Sequence, residues 1–312
     1  MNNNKKTVLI GAAALLALGL SFWLPLSKNQ QNSDQNNANA VNRTDFTLRP
    51  LLLAPLRSVS ILATAALVVD LATGDVLYEK NADIILPLAS LTKIISSLVL
   101  LDRLPLDEVV TISEHAIATE GISVLVAGER YRVRDLLIMA MIESSNDAVA
   151  ALMEYVAYKE NIAPAYRELW FVGQMRNKVL ALGASQKIIF YNPTGLDISD
   201  RLAGAYGSAR DIVRIAQYSF SSPLWDLTRT GTIISQDGRV IALNPTNSLQ
   251  GSLVQLRGAK TGFTDIAGGN LLVLLEQPIG RPIGVVVLGS THEGRFSDVA
   301  LLLGLLRQNT IR

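Results

Sequence analysis

The chain has 312 residues, 49% of them hydrophobic, and a net charge of +1, so it has ample material for one large domain or two modest ones. Near-neutrality without a long basic run argues against nucleic acid as a partner, because duplex binding needs a clustered cationic face. With no cysteine and only two histidines, His115 and His292, disulfides and thiol chemistry are excluded and no metal or other cofactor is expected.

In chain order, the first feature is an apolar run of 20 residues, Thr7 to Leu26, preceded by Lys5 and Lys6. Its length matches the hydrocarbon core of a bilayer. The lysine pair predicts an inward N-terminus, although Lys28 on the far flank weakens that bias. Residues 1–27 are therefore expected to be a cytoplasmic end plus a transmembrane signal anchor. A cleaved signal peptide would need an A-x-A site close behind the run, but Ala38-Asn39-Ala40 lies well beyond it. Residues 28–49 read as a flexible stalk: nine of the fourteen residues from Asn29 to Asn42 are Asn or Gln. Such a segment cannot bury enough surface to offset its ordering entropy.

Residues 50–312 are expected to form the folded, extracytoplasmic domain. A β-type run, Thr64–Leu71, the turn residues Ala72-Thr73-Gly74-Asp75 and a second run, Val76–Lys80, predict a hairpin. Leu91, Ile94, Ile95, Leu98 and Leu101 then follow helical spacing. Asp135–Ile142, Ala148–Tyr155 and Val172–Leu182 read as further helices. Asn270–Leu275 and Ile283–Leu288 read as strands, and Ser297–Leu306 as a last helix starting at Ser297-Asp298. Strands at both ends with helices between them predict an α+β fold. Its sheet is mainly antiparallel, assembled from both chain ends, flanked by helices and joined by a helical subdomain.

Three short motifs carry chemistry. Ser90-Leu91-Thr92-Lys93 opens the first strong helix, where residues three apart share a face, so the hydroxyl and the amine can meet. A serine becomes a good nucleophile when a neutralised lysine takes its proton, and burial beside a second cation would lower that lysine's pKa. Ser144-Ser145-Asn146 lies between two helical stretches, where a hydroxyl and an amide can point into a cleft; the plainer alternative is that Asn146 or Asp147 caps the next helix. Lys260-Thr261-Gly262 borders a strand and offers charge and a donor to a ligand carboxylate. Gly262 clears room for a substrate backbone.

Each triplet alone is weak, but in this order they form the signature of penicillin-binding proteins and class A β-lactamases. From Ala65 to Arg295 the sequence resembles the low-molecular-mass penicillin-binding proteins of the D-alanyl-D-alanine carboxypeptidase family. The likeness extends to residues 68–83, to Asn192-Pro193-Thr194-Gly195-Leu196-Asp197, to Lys260-Thr261-Gly262-Phe263-Thr264-Asp265-Ile266-Ala267-Gly268 and to Ala209-Arg210-Asp211. The resemblance implies a penicillin-binding-protein/β-lactamase-like transpeptidase fold. It also implies a serine peptidase acting on peptidoglycan stem peptides and acylated by β-lactams. By matching position, Ser90 would be the nucleophile and Lys93 its base. Ser144 would relay protons and Asn146 hold the substrate amide, while Lys260 and Thr261 would bind the terminal carboxylate. The N–H groups of Ser90 and Phe263 would form the oxyanion hole.

Two departures from the family stand out. No C-terminal β-domain or amphipathic tail follows the catalytic region, so the N-terminal segment would replace that tail as anchor. Ser145 also stands where relatives often have Gly, and it is given no function. A β-lactamase would carry an added glutamate to hold its water, and no E-x-x-L-N occurs between Asn146 and Lys260. A DD-endopeptidase would use the same residues as a carboxypeptidase. An inactive wall-binding protein would have no need of the intact triplets.

Overall fold

The computed structural model describes residues 59–118, 124–185 and 187–310. The expected anchor and stalk lie outside them; among the described residues no helix is long and apolar enough to cross a membrane.

The predicted hairpin is β1 (Ala65–Asp70) and β2 (Val76–Lys80). Asp70 Oδ1 accepts from the N–H of Ala72 and Thr73, and Gly74 takes φ +81°, a conformation that suits glycine. There follow β3 (Leu86–Pro87), α1 (Thr92–Leu101), β4 (Val109–Thr111), β5 (Arg130–Arg132), α2 (Val133–Ile142), α3 (Asn146–Lys159) and α4 (Arg167–Ala181). Next come β6 (Ile189–Phe190), β7 (Ala205–Gly207), α5 (Ala209–Ser219), α6 (Pro223–Leu227) and the hairpin β8 (Thr232–Ile234) and β9 (Val240–Ala242). The chain closes with β10 (Leu256–Thr264), β11 (Gly268–Glu276), β12 (Pro282–Ser290) and α7 (Gly294–Thr310).

The main sheet runs β10-β11-β12-β1-β2, with every neighbour antiparallel. The two chain ends meet where β1 pairs β12, with Ala65 opposite Leu288. Strand alternation splits the apolar residues between two faces. Leu67, Leu272, Leu274 and Val286 pack toward the helical part, with Ile212 and Ile215 of α5. Val68, Leu271, Val273 and Val285 face Val299, Leu302 and Leu306 of α7. Covering both faces explains why β1 is buried throughout instead of alternating. Each of these side chains contributes about 1.5–3 kcal/mol by burial.

The start of α7 differs from the sequence expectation. Asp298 does not cap the helix, which begins at Gly294. Its carboxylate instead accepts from Leu62 N, Ala63 N and Ser290 Oγ at 2.7–2.8 Å, tying the start of the domain to its end. α4 also begins earlier than its apolar spacing suggested. The edge strand β10 is seated on α6: the Trp225 ring is fully buried, and a Cβ at Gly258 would come within 2.3 Å of it. Only glycine permits that approach.

Candidate active site

Ser90 lies in a short 3₁₀ turn, Ala89–Leu91, that feeds directly into α1. Ala89 has φ +47°, which costs a non-glycine residue on the order of 1–3 kcal/mol. Its surroundings enforce that conformation. Thr92 Oγ1 donates to Ala89 O at 2.7 Å, and a Cβ at Gly195 would fall 1.9 Å from the same oxygen. The strain turns the Ser90 side chain toward Lys93 on the first turn of α1, and Lys93 Nζ is 2.8 Å from Ser90 Oγ.

Lys93 is fully buried and donates also to Thr194 O at 2.9 Å. That carbonyl is presented by a turn built on Asn192. Asn192 Oδ1 accepts from the N–H of Thr194 and Gly195, its Nδ2 donates to Leu196 O, and Pro193 O accepts from Ser96 of α1 at 2.5 Å. Burial, with a smaller contribution from the Lys260 cation, pushes the Lys93 amine well below the ordinary lysine value. A neutral amine can accept the Ser90 proton while donating to Thr194 O.

Ser144, in the middle of the α2–α3 connection, has φ +62°, a second strained residue bordering the cleft. Its Oγ accepts from Lys260 Nζ at 2.9 Å. Asn146 begins α3 and is half-buried. The cap of α3 is neither Asn146 nor Asp147 but Ser145, whose Oγ accepts from Ala148 N at 3.1 Å. That gives Ser145 the structural role the sequence left open.

The third triplet lies on β10. Lys260, 1% exposed, donates also to Thr261 O at 2.8 Å. Burial and the nearby Arg295 cation lower its pKa to about 7. Thr261 Oγ1 is 2.6 Å from Thr246 Oγ1. A Cβ at Gly262 would come within 3.1 Å of both Leu88 O and Ser90 N, so glycine lets the strand run against the serine turn. Phe263 is exposed, edge-on to His292. The structure thus joins all three motifs: Ser90 with Lys93, Ser144 with Lys260, and Gly262 beside the Ser90 amide. No cluster of three or more His, Asp or Glu able to hold a metal occurs among the described residues.

Sequence reasoning missed Thr246, Arg295 and the carbonyl of Thr194. Arg295, on α7, is 4% exposed and donates from Nη1 to Gly262 O at 2.8 Å. No local spacing links an arginine there to a strand that precedes it by two further strands.

A family model described as D-alanyl-D-alanine carboxypeptidase matches residues 54–292. The chain belongs to that family. Membership makes it a serine-type hydrolase, and the antiparallel sheet with its helical subdomain is the penicillin-binding-protein fold. Among characterised relatives, it is 33% identical over 250 residues to a D-alanyl-D-alanine endopeptidase of Pseudomonas aeruginosa, covering 76% of this chain and 75% of that one. It is 30% identical to the D-alanyl-D-alanine carboxypeptidase DacF of Bacillus subtilis, over 77% of this chain but 61% of the relative. Among solved structures, the Streptomyces K15 DD-transpeptidase superposes with a TM-score of 0.72 at 26% identity, covering 80% of this chain and 99% of that one.

Proposed function

We propose that this chain is a serine D-Ala-D-Ala peptidase that hydrolyses the terminal bond of peptidoglycan stem peptides through an acyl-enzyme on Ser90. The observation that carries this reading is the 2.8 Å contact between Ser90 Oγ and a fully buried Lys93 whose amine is held below its usual pKa.

Ser90 Oγ attacks the carbonyl of the penultimate D-Ala as Lys93 Nζ takes the hydroxyl proton. The N–H groups of Ser90 and Phe263 receive the oxyanion, each donor being worth about 3–4 kcal/mol in comparable sites. Lys260 and Thr261 hold the terminal carboxylate, with Arg295 adding positive potential from behind Gly262. Asn146 holds the substrate amide. The C–N bond breaks as the departing amine takes up, through the Ser144 hydroxyl, the proton that Ser90 gave to Lys93; Lys93 is neutral again, and Lys260 holds the Ser144 oxygen in place. Water, with Lys93 again as base, then releases the acyl group and restores Ser90. Residues 1–27 would anchor the protein in the cell membrane and residues 28–49 would tether residues 50–312 outside the cytoplasm. A DD-endopeptidase would run the same chemistry, and the 33% identity to an endopeptidase favours keeping it as a second reading.

Full-length protein in detergent should be labelled by a fluorescent penicillin, whose strained amide mimics D-Ala–D-Ala, with the adduct on Ser90 by mass spectrometry. It should also release D-alanine from a pentapeptide stem. Full labelling of Ser90→Ala would refute the assignment. The anchor is tested separately: the protein should resist carbonate extraction from membranes, whereas a mature N-terminus at Val41 would mean cleavage after Ala40.

A further inference from the structure

The oxyanion hole proposed above takes one N–H from Ser90 and one from Phe263. The Phe263 N–H belongs to the same peptide group as the Gly262 carbonyl, and in a planar trans peptide the two point in opposite directions. Whatever binds that carbonyl therefore acts on the far end of the group that faces the reacting oxygen. Arg295 binds it: Nη1 donates to Gly262 O at 2.8 Å.

Stability alone does not select the place that Arg295 occupies. The side chain is buried and stands in the first turn of α7, where the helix dipole disfavours a cation. Its Nε is buried without a hydrogen-bond partner, at a cost of about 1–3 kcal/mol. Among the described residues no carboxylate is hydrogen-bonded to it; Glu293, whose charge it feels, is 2.8 Å from His292 Nδ1. Its Nη2 instead lies 3.2 Å from His292 Nε2. A guanidinium can only donate, so His292 accepts at Nε2 and carries its proton on Nδ1, facing Glu293. The guanidinium carbon is 4.7 Å from the centroid of the Phe296 ring, and His292 meets Phe263 edge-on at 4.8 Å. These contacts fix the fork against one carbonyl.

We infer that Arg295 is a positioning residue for the oxyanion hole: by binding Gly262 O it aligns and polarises the Gly262–Phe263 peptide, making the Phe263 N–H a stronger donor to the developing oxyanion. The inference rests on the roles proposed above for Ser90 and Phe263. A hydrogen bond from a charged donor is about twice as strong as a neutral one, and bonds in a chain polarise one another. The guanidinium draws electron density toward Gly262 O, which leaves the amide hydrogen on the opposite side more positive. Arg295 touches no substrate and moves no proton. Its effect grows with the negative charge on the reacting oxygen, so it acts on the tetrahedral intermediate far more than on the bound substrate.

Arg295 also acts on Lys260, so two readouts on full-length enzyme separate the oxyanion from the carboxylate. A peptide ending in the boronic acid analogue of D-alanine forms a tetrahedral anion on Ser90 and has no carboxylate for Lys260 and Thr261. Arg295→Met should weaken its binding about tenfold, a fraction of the roughly 10²–10³-fold that losing a whole oxyanion donor costs. The infrared carbonyl stretch of the penicillin acyl-enzyme, identified by isotope labelling, should move to higher frequency, because a weaker donor polarises the ester less. Arg295→Lys, which can still give Gly262 O a charged donor, should restore most of both. An unmoved stretch with unchanged boronate binding, or a loss confined to KM for the carboxylate-bearing pentapeptide, would overturn the inference while leaving the Ser90 mechanism standing. Should Arg295→Met not fold, Arg295→Gln, a neutral donor on a shorter stem, should give the same two changes at smaller size, and their absence there would overturn it equally. Failure of penicillin to acylate Ser90 in the wild type would overturn the mechanism as well.

Discussion

Lys93 and Lys260 have nearly the same company. Each is buried, and each donates to one serine hydroxyl and one backbone carbonyl at 2.8–2.9 Å. Their mountings differ. Lys93 stands on a helix and takes its carbonyl from Thr194, 101 residues away, whereas Lys260 stands on a strand and takes the carbonyl of its own neighbour, Thr261. Lys93 is therefore positioned by a tertiary turn, and Lys260 by local backbone. Their electrostatic surroundings differ too: Lys260 is the cation that depresses Lys93, and Arg295 is the one that depresses Lys260. In the proposed mechanism, similar hydrogen bonds around two lysines would serve two tasks, proton transfer at Ser90 and charge against a carboxylate at Thr261.

The comparison breaks most sharply at Lys93→Arg. A guanidinium stays protonated at any working pH, so penicillin acylation measured by stopped flow should fall by about 10³-fold or more. Lys260→Arg keeps the charge that side needs and should lose only about 10–100-fold, chiefly in KM for the pentapeptide. If the two variants are equally active, Lys93 is not the base.

Removing the charge at Lys260 sharpens the electrostatic half. A nearby cation holds the Lys93 value down, so Lys260→Met should let it rise. The ascending limb of the kcat/KM profile should then move to higher pH. An unmoved limb would mean that Lys93 does not sense Lys260.

The tertiary mounting of Lys93 predicts a further asymmetry. Asn192→Ala removes the acceptor that shapes the Thr194 turn and should cost about tenfold in acylation by loosening the amine. KM for the pentapeptide, set on the Lys260 side, should hold.

Stability gives the smallest effect. Both lysines have folded values below the 10.5 of the free amine. As pH rises from about 7 toward 10.5, the unfolded chain binds more protons than the folded one, so these groups make stability increase with pH. Lys260→Met should flatten that rise and raise Tm at pH 7 by about 2–4 °C, read by calorimetry at several pH values.

Much of this was legible in the sequence because it is local. The hairpin turn, the helical spacing of α1 and the paired strands β11 and β12 follow from patterns a few residues long. The contact of Ser90 with Lys93 was legible because the two sit within one turn, whereas that of Ser144 with Lys260 spans 116 residues and was visible only through the order of the triplets. What the sequence concealed depends on distant packing. Asp298 looked like a helix cap because its partners Leu62 and Ala63 lie more than two hundred residues earlier. The three-residue strands of the pairs β4–β5 and β8–β9 gave too little alternation to distinguish them from loop. Thr246 and Arg295 reach the site only once β10 is placed among its neighbours.

The pairing of the first strand with the last has a consequence for the life of the chain before it is an enzyme. Thr64 and Gly289, bonded through Thr64 Oγ1 at 2.9 Å, stand 225 residues apart in sequence. A sheet closed by such remote partners assembles slowly and late. Ser90 and Lys93 are synthesised early, on a 3₁₀ turn and the first turn of α1, yet β10 cannot lie against them until residues 256–264 have emerged. An incomplete chain would thus carry the proposed nucleophile without a cleft, and hydrolytic power would arrive all at once with the final strands.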